Sequence, residues 1–366
     1  MKNSFGNNVS VTLFGESHGP TIGAVVDGLA PGIPVDEDFI AHQLTLRRPV
    51  SATGTPRREQ DRFTIASGVY QGKTTGTPLC ILIPNEDTDS AAYDALLGLA
   101  RPGHADYTAQ CKYHGYQDPR GGGHFSGRLT APLVAVGAIA IAALRSRHIY
   151  MGTHILRCGG ISDRAFGNIQ ADIERLNQMT FAVLDSETKE AMEAKIIEAA
   201  SQGDSVGGIL ETAVTGLPAG IGEPWFDTVE SLLSHALFSI PAVKGVEFGD
   251  GFATADMYGS QCNDSFVVEN GEIVTATNHN GGINGGITNG MPLLFRCAVK
   301  PTPSIGKEQK TVDYLHRENA SVSIRGRHDP AIVHRARVVV DSVTALVLCD
   351  LLAGRYGTDY LAGDDR

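Results

Sequence analysis

"GESHGPTIGAVVDGLAPGI" at residues 15–33 and "GDSVGGILETAVTGLPAGI" at residues 203–221 decide how this chain is built. Laid side by side without a gap, at an offset of 188, they agree at 8 of 19 positions. The matches are Gly15/Gly203, Ser17/Ser205, Gly19/Gly207, Val26/Val214, Gly28/Gly216, Leu29/Leu217, Gly32/Gly220 and Ile33/Ile221. Each copy reads as a glycine turn, an apolar strand and a Gly/Pro-rich exit. A second echo follows, since "GTPLCILI" from Gly76 and "GMPLLFRCAV" from Gly290 both open an apolar strand with Gly-x-Pro-Leu. The expectation is one domain over residues 1–366 made of two pseudo-equivalent halves, about 9–150 and 200–355.

Hydrophobic patterning predicts strands at 9–14, 21–27, 62–67, 78–83, 151–157, 207–215, 243–248 and 292–299. Helices are predicted at 36–48 with Asp36 as N-cap, 107–114 with Asp106 as cap, 129–147, 185–202, 227–238 and 331–355. The helices at 129–147 and 336–352 are apolar nearly all round, so each must be covered on every side. The fold class is therefore α+β, a β-α-β sandwich with helices layered between two antiparallel sheets, one from each half. No Gly-x-Gly-x-x-Gly follows a strand, which argues against a doubly wound dinucleotide fold.

Composition narrows the function. At 366 residues and 42% hydrophobic content the chain can bury a large core. The N-terminal "MKNSFGNN" has no apolar leader, and the apolar run at 129–144 is shorter than the roughly 20 residues of a membrane span, so a cytoplasmic, unanchored protein is expected. Six scattered cysteines form no Cys-x-x-Cys pair, which gives neither a disulfide framework nor a metal site and predicts buried, reduced thiols. A net charge of −11 argues against nucleic acid, yet the cations are clustered. Arg47, Arg48, Arg57, Arg58 and Arg62 fall within sixteen residues, and nine Lys or Arg lie between 296 and 337, against eight across 129–295. Cations gathered on an acidic chain suit a small polyanion, with a solvated basic face as the plainer alternative.

The repeat also separates chemistry from scaffold. Its glycines and serines recur, but His18 does not; the second copy has Val206. A histidine added to a turn that folds without one is a functional candidate. His104, in "RPGHADY", sits at a turn-to-helix junction, where turn chemistry and function are both open readings. "RGGGHFSGR" at 120–128 is not a Walker loop, because Arg128-Leu129 stands where Lys-Ser/Thr is required. Its glycines could present N–H groups to an anion, or simply let helix 129–147 pack closely. "NHNGGINGGITNG" (278–290), "KPTPS" (300–304) and "RGRHDP" (325–330) complete the set; Asp329-Pro330 reads either as a functional carboxylate or as the cap of the last helix.

Taken together, "FGESHG", "DGLAPGIP", "RRP", "RPGHADYT", "RGGG", "PAVKGVEFG", "GGINGGITNG", "KPTPSI" and "GRHDP", in this order from about residue 10 to 352, resemble the chorismate synthase family. That resemblance implies a homotetramer of β-α-β sandwich subunits. It implies loss of phosphate and a C6 proton from 5-enolpyruvylshikimate 3-phosphate, with reduced FMN (FMNH2) required and NADPH or an external flavin reductase as the source of reduction. It assigns His18 and His104 as catalytic histidines, Asp329 as a proton-relay carboxylate, and Ser17 and Ser126 as relay hydroxyls. FMN contacts are implied for His124, Phe125, Ser126, Pro241, Ala242, Gly285, Lys300, Pro301, Thr302, Pro303, Ser304 and Arg327. Arg47 and Arg48 match a cationic wall for substrate phosphate or NADPH. The family usually has Arg-Ser where His124-Phe125 stand here; Phe125 is expected to pack on the flavin or on helix 129–147. The segment 50–56 is one residue shorter than usual.

Overall fold

The duplicated stretch supplies the central strand of each of two sheets in a computed structural model that describes residues 2–48, 61–86, 97–324 and 329–362. The first sheet contains β1 (Ser4–Phe5), β2 (Ser10–Phe14), β3 (Thr21–Asp27), β4 (Thr64–Ser67) and β5 (Leu79–Pro84), in the order β1-β2-β3-β5-β4. The second contains β6 (Tyr150–Cys158), β7 (Ile161–Ser162), β8 (Gly208–Thr215), β9 (Val243–Phe248) and β10 (Leu293–Val299), in the order β7-β6-β8-β10-β9. Every pairing is antiparallel, and the orders match from the central strand to one edge, β3-β5-β4 against β8-β10-β9; at the other edge β1 precedes its neighbour β2 in the chain, whereas β7 follows β6. One irregularity matches too: β4 slips against β5 between Ile65 and Ser67, as β9 slips against β10 between Val243 and Gly245, whereas the slip of β8 against β6 between Ile209 and Leu210 has no counterpart between β3 and β2.

The strand exits repeat bond for bond. Gly32 N–H donates to Thr74 O at 2.8 Å and Ile33 N–H to Thr74 Oγ1 at 2.9 Å; Gly220 and Ile221 make the same two bonds to Thr288 at the same distances. Each threonine hydroxyl in turn donates back to its exit, to Ala30 O and Pro218 O. Gly28 and Gly216 both have positive φ, +85° and +80°, and a Cβ on either would collide with a backbone carbonyl, Asn8 O or His148 O. Glycine is therefore needed at both copies for the same reason.

Between the sheets lie α1 (Glu37–Leu46), α3 (Thr130–Arg145), α4 (Val229–Leu237) and α5 (Val333–Tyr356), with α2 (Asp106–Tyr113) outside this layer. α3 packs on β3 and β5, α5 packs on β6 and β8, and the two helices pack on each other. Their crossing is close, because a Cβ on Gly137 would lie 2.3 Å from Ser342 Cβ. Residues 127–145 are apolar and long enough to cross a membrane, yet 89% of that stretch is buried inside the fold. α5 also buries polar groups, several of them with a local partner. Ser342 and Thr344 donate to carbonyls four residues back, and the Asp341 carboxyl, raised by burial, accepts from Thr153 Oγ1 at 2.6 Å.

Three expectations need correction. Asp36 caps α1 by accepting from Phe39 N–H, but the N-cap of α2 is Ala105 and the Asp106 carboxylate is engaged elsewhere. The last helix starts at Val333 after Ile332, so Asp329 is not its cap. All six thiols are free, but only Cys158, Cys297 and Cys349 are buried, while Cys111 is exposed. Burial pushes the Cys158 thiol up to about 11 and Cys297 to about 12.

Candidate active site

The loop at 120–125 strings three positive-φ residues together, Gly121 at 59°, Gly122 at 87° and Gly123 at 53°. L-residues adopt that conformation rarely, and a run of three is a glycine property. The consequence is contact on both sides. A Cβ on Gly121 would lie 2.1 Å from His18 Cε1, and one on Gly122 would lie 3.2 Å from His104 Nε2. The triple glycine thus touches the two candidate histidines with consecutive residues.

His18 is almost buried and Ser17 fully so. Ser17 N–H donates to Gly123 O at 3.1 Å, and Ser17 Oγ donates to Gly121 O at 3.3 Å. With its own proton committed, Ser17 Oγ accepts from His18 Nδ1–H at 2.9 Å, which puts the imidazole lone pair on Nε2. The first copy of the duplicated turn therefore seats the glycine loop and orients a histidine at once.

His104 is held differently. Arg101 grips Asp106 with its backbone N–H and Nε on one carboxylate oxygen, at 2.9 and 2.8 Å, and with Nη2 on the other at 2.6 Å. His104 Nδ1 lies 2.9 Å from that second oxygen. Burial works against this carboxylate's charge, but the Arg101 and His104 hydrogen bonds outweigh it and hold Asp106 well below the usual range. The pocket beside His104 is lined by Arg101, Arg120 and Gly122, with Phe125 on its wall. Phe125 meets the Tyr113 ring of α2 edge-on at 5.9 Å, a contact with α2 that the sequence reading did not expect.

The second copy of the turn seats the other loop. Ser205 Oγ donates to Thr302 O at 2.7 Å, and Gly207 lies against Pro301. From there Lys300 Nζ reaches Gly103 O at 2.5 Å, and Pro303 packs on Gly103. Ala100 N–H donates to Val312 O, which fixes the same turn a second time. His104 is therefore pinched between two loops, each hung on one copy of the repeat.

Asp329 anchors a further network. Arg335 Nη1 donates to Asp329 Oδ2 at 2.5 Å while its Nε donates to Arg47 O at 2.7 Å. Arg47 is buried, with Nη2 3.4 Å from Asp61 Oδ2, and Asp61 also takes Arg128 Nη1. Burial opposes the Asp61 charge; Arg47 and Arg128 overcome it and lower its pKa. Arg128 N–H donates to Ser126 Oγ, which closes a chain from Ser126 to Asp329. Arg48 lies half-buried next to Arg47.

Of the remaining sequence candidates, His124, Ser126 and Pro241 line one cavity of about 360 Å³ with Leu129, Leu133 and Val343. His124 Nδ1–H donates to Gly15 O at 2.8 Å. Ala242 joins this group through Lys300 N–H, which donates to its carbonyl. Ser304 lies half-buried in the 300–304 segment. Gly285 lies instead at an exposed hairpin turn with open space around it. Arg327, like Arg57, Arg58 and the shortened 50–56 segment, falls outside the described residues. Reasoning from the sequence missed Arg101, Asp61 and Arg335 altogether. Arg101 and Asp106 flank the Pro-Gly turn, a signal that was available; Asp61 and Arg128 are 67 residues apart, and no local pattern joins them.

The chain as a whole is similar to known proteins of one family. The family described as chorismate synthase matches residues 9–353. The chorismate synthase of Methanosarcina acetivorans is 46% identical over 349 residues, covering 95% of each chain. That of Thermococcus kodakarensis is 45% identical over 350 residues, covering 96% of this chain and 97% of the relative. A crystal structure of chorismate synthase superposes with a TM-score of 0.77 at 29% identity, covering 97% of this chain and 94% of that one.

Proposed function

From the premise that the chain belongs to the chorismate synthase family and converts 5-enolpyruvylshikimate 3-phosphate to chorismate and phosphate, the last step of the shikimate pathway, we propose how its own residues run the reaction. The observation that carries the proposal is the pair of histidines seated on consecutive glycines, Gly121 and Gly122. The elimination removes a proton from C6 and a phosphate from C3, so it needs groups that move protons and cations that meet a dianion. His104 gives its Nε2 proton to the departing phosphate, with Arg101 and Arg120 lining the same pocket. His18 keeps its Nδ1 proton on the Ser17 hydroxyl and so presents its Nε2 lone pair, which takes up and returns a proton. Asp329 helps relay the C6 proton, with the Ser17 and Ser126 hydroxyls in the hydrogen bonding of the same relay. Arg47 and Arg48 form the cationic side toward substrate phosphate or NADPH, and the burial of Arg47 against Asp61 supports a positioning part for it.

Reduced FMN, when bound, supplies an electron to the allylic system and recovers it. The residues present fit that group. The cavity of His124, Ser126 and Pro241 combines an apolar wall with polar edges, and Thr302 Oγ1 beside it in sequence with Lys300 is buried without a hydrogen-bond partner. His124, Phe125, Ser126, Pro241, Ala242, Gly285, the 300–304 segment and Arg327 would hold the cofactor. We further propose one domain with the boundaries read from the repeat, a homotetramer, and a cytoplasmic enzyme whose flavin is reduced by NADPH or by an external reductase.

Anaerobic assay of chorismate formation tests this. Catalytic amounts of chemically reduced FMN should support many turnovers and oxidised FMN none; equal activity without flavin overturns the cofactor assignment. NADPH as sole reductant distinguishes the two sources of reduction, and light scattering gives the assembly.

A further inference from the structure

The reading of His104 as a proton donor, on which this inference rests, leaves open what decides which ring nitrogen carries the proton. We propose that Asp106, clamped by Arg101, is a positioning residue that fixes His104 with its proton on Nδ1 and its lone pair on Nε2. The shortest contacts argue for it. An ionised carboxylate only accepts hydrogen bonds, so His104 Nδ1, 2.9 Å from Asp106 Oδ1, carries a proton, since otherwise two lone pairs would face each other. Arg101 Nη2 carries two hydrogens and lies 3.0 Å from the same nitrogen as well as 2.6 Å from Oδ1; the shorter, charge-assisted bond goes to the carboxylate, and a lone pair on Nδ1 would face the carboxylate lone pairs at 2.9 Å, so the assignment takes Nδ1 as the donor. Two donors thus converge on one oxygen, and that oxygen must be anionic to serve both.

The clamp leaves the carboxylate little freedom. Arg101 is 9% exposed and offers three N–H groups to one carboxylate across a five-residue turn. Lys300 and Pro303 press on Gly103 from the facing loop, so the turn cannot swing away. The ring is held by its Nδ1 edge, and its Nε2 edge points at Gly122, into the pocket with Arg120. With the Nδ1 proton held on the carboxylate, the Nε2 lone pair takes up a proton to form the imidazolium, and that Nε2 proton is the one the leaving group in the pocket receives, which returns the ring to its Nδ1–H form.

This makes the effect of an isosteric change specific. In Asp106→Asn the amide oxygen is drawn to the two Arg101 donors that share Oδ2, which turns the NH2 toward His104. Nδ1 must then accept, and the proton moves to Nε2. The side chain keeps its size while the tautomer reverses, the same logic by which an orienting carboxylate acts in a Ser-His-Asp triad.

The test uses full-length protein with 15N-labelled histidine, the His104 resonances being assigned by their loss in His104→Ala. Above neutral pH the wild type should show the Nδ1–H form and Asp106→Asn the Nε2–H form. The kcat of Asp106→Asn should fall on the order of 10²–10⁴-fold, with KM within about threefold. Asp106→Glu should restore the Nδ1–H form and most of the rate. An Nε2–H form in the wild type overturns the inference whether or not any variant folds. So does an Asp106→Asn enzyme that keeps the wild-type tautomer or kcat. If His104→Ala keeps the wild-type rate, the catalytic reading of His104 fails, while the tautomer measurement still decides what Asp106 does.

Discussion

In the first half of the chain the duplicated turn ends in Ser17-His18 and seats the glycine loop; in the second it ends in Ser205-Val206 and seats the 300–304 segment. The serine hydroxyl does the same work in both, donating to a backbone carbonyl of the loop it holds, Gly121 or Thr302. The scaffold bonds at Gly32 and Gly220 repeat with the same atoms. What does not repeat is the titratable group. A buried histidine of the second sheet, His154, lies between Asp163 and Glu211 with the Phe166 ring edge-on against it at 4.9 Å. Duplication has thus preserved the geometry of two loop cradles, while proton chemistry was added to one of them.

The sharpest way to break this comparison is at the glycine that touches His18. Gly121→Ala meets both a positive φ of 59° and a Cβ position 2.1 Å from the His18 ring, so the ring must move. Its rate of chorismate formation should fall as far as that of His18→Ala, on the order of 10²–10⁴-fold. Val206→Ala, at the pseudo-equivalent position, should keep its turnover and lose about 1 kcal/mol of stability through trimmed packing. Anaerobic rates together with denaturant midpoints decide it; equal losses of rate at positions 18 and 206 would abolish the distinction between the halves.

A second pair of variants sharpens the serines. Ser17→Ala removes the acceptor that fixes His18 and should slow the enzyme about tenfold, the worth of roughly one net hydrogen bond. Ser205→Ala removes a loop anchor of equal strength and should lower the melting temperature with little change in kcat. If both change rate alike, the 300–304 segment needs its anchor as much as His18 needs its hydroxyl.

The strands around the repeat were legible because each is a run of alternating or continuous apolar residues bounded by glycine. The predicted limits 21–27 and 243–248 coincide with Thr21–Asp27 and Val243–Phe248. Shorter pieces were not. The hairpin of Phe266–Glu269 and Glu272–Thr275 exposes both faces and has no burial pattern to read, although its Asn270-Gly271 turn, with φ of 51° and 87°, was a usable signal. The site divides in the same way. His18 stood out against Val206, but Asp106 was taken for a cap because a carboxylate at a helix start has two uses and only the position of Arg101 chooses between them. Asp61, buried between Arg47 and Arg128, depends on chain segments brought together only by folding.

The smallest expected effect separates the scaffold histidine from the catalytic ones. His154 is inaccessible to solvent, with Nδ1 3.0 Å from Asp163 Oδ2 and Nε2 3.0 Å from Glu211 Oε2. Burial alone would lower its pKa, but the two carboxylates outweigh burial and raise it. A histidine whose pKa is higher folded than unfolded contributes stability that is complete below the unfolded value, near 6.5, and is lost as pH rises through the folded value. The denaturant midpoint should therefore fall as pH rises above about 6.5. His334 acts in the opposite window. Buried with both ring nitrogens unpartnered, it is pushed down to about 4, so its contribution is lost only as pH falls below 6.5. His316, paired with Asp313 at the surface, titrates in the same direction as His154, and a His316→Gln background removes it. In that background His154→Gln should flatten the decline above pH 6.5 and leave the pH profile of kcat unchanged. A decline that survives His154→Gln would mean the second sheet is not held by an imidazolium, and a shifted kcat profile would mean that this sheet takes part in proton transfer after all.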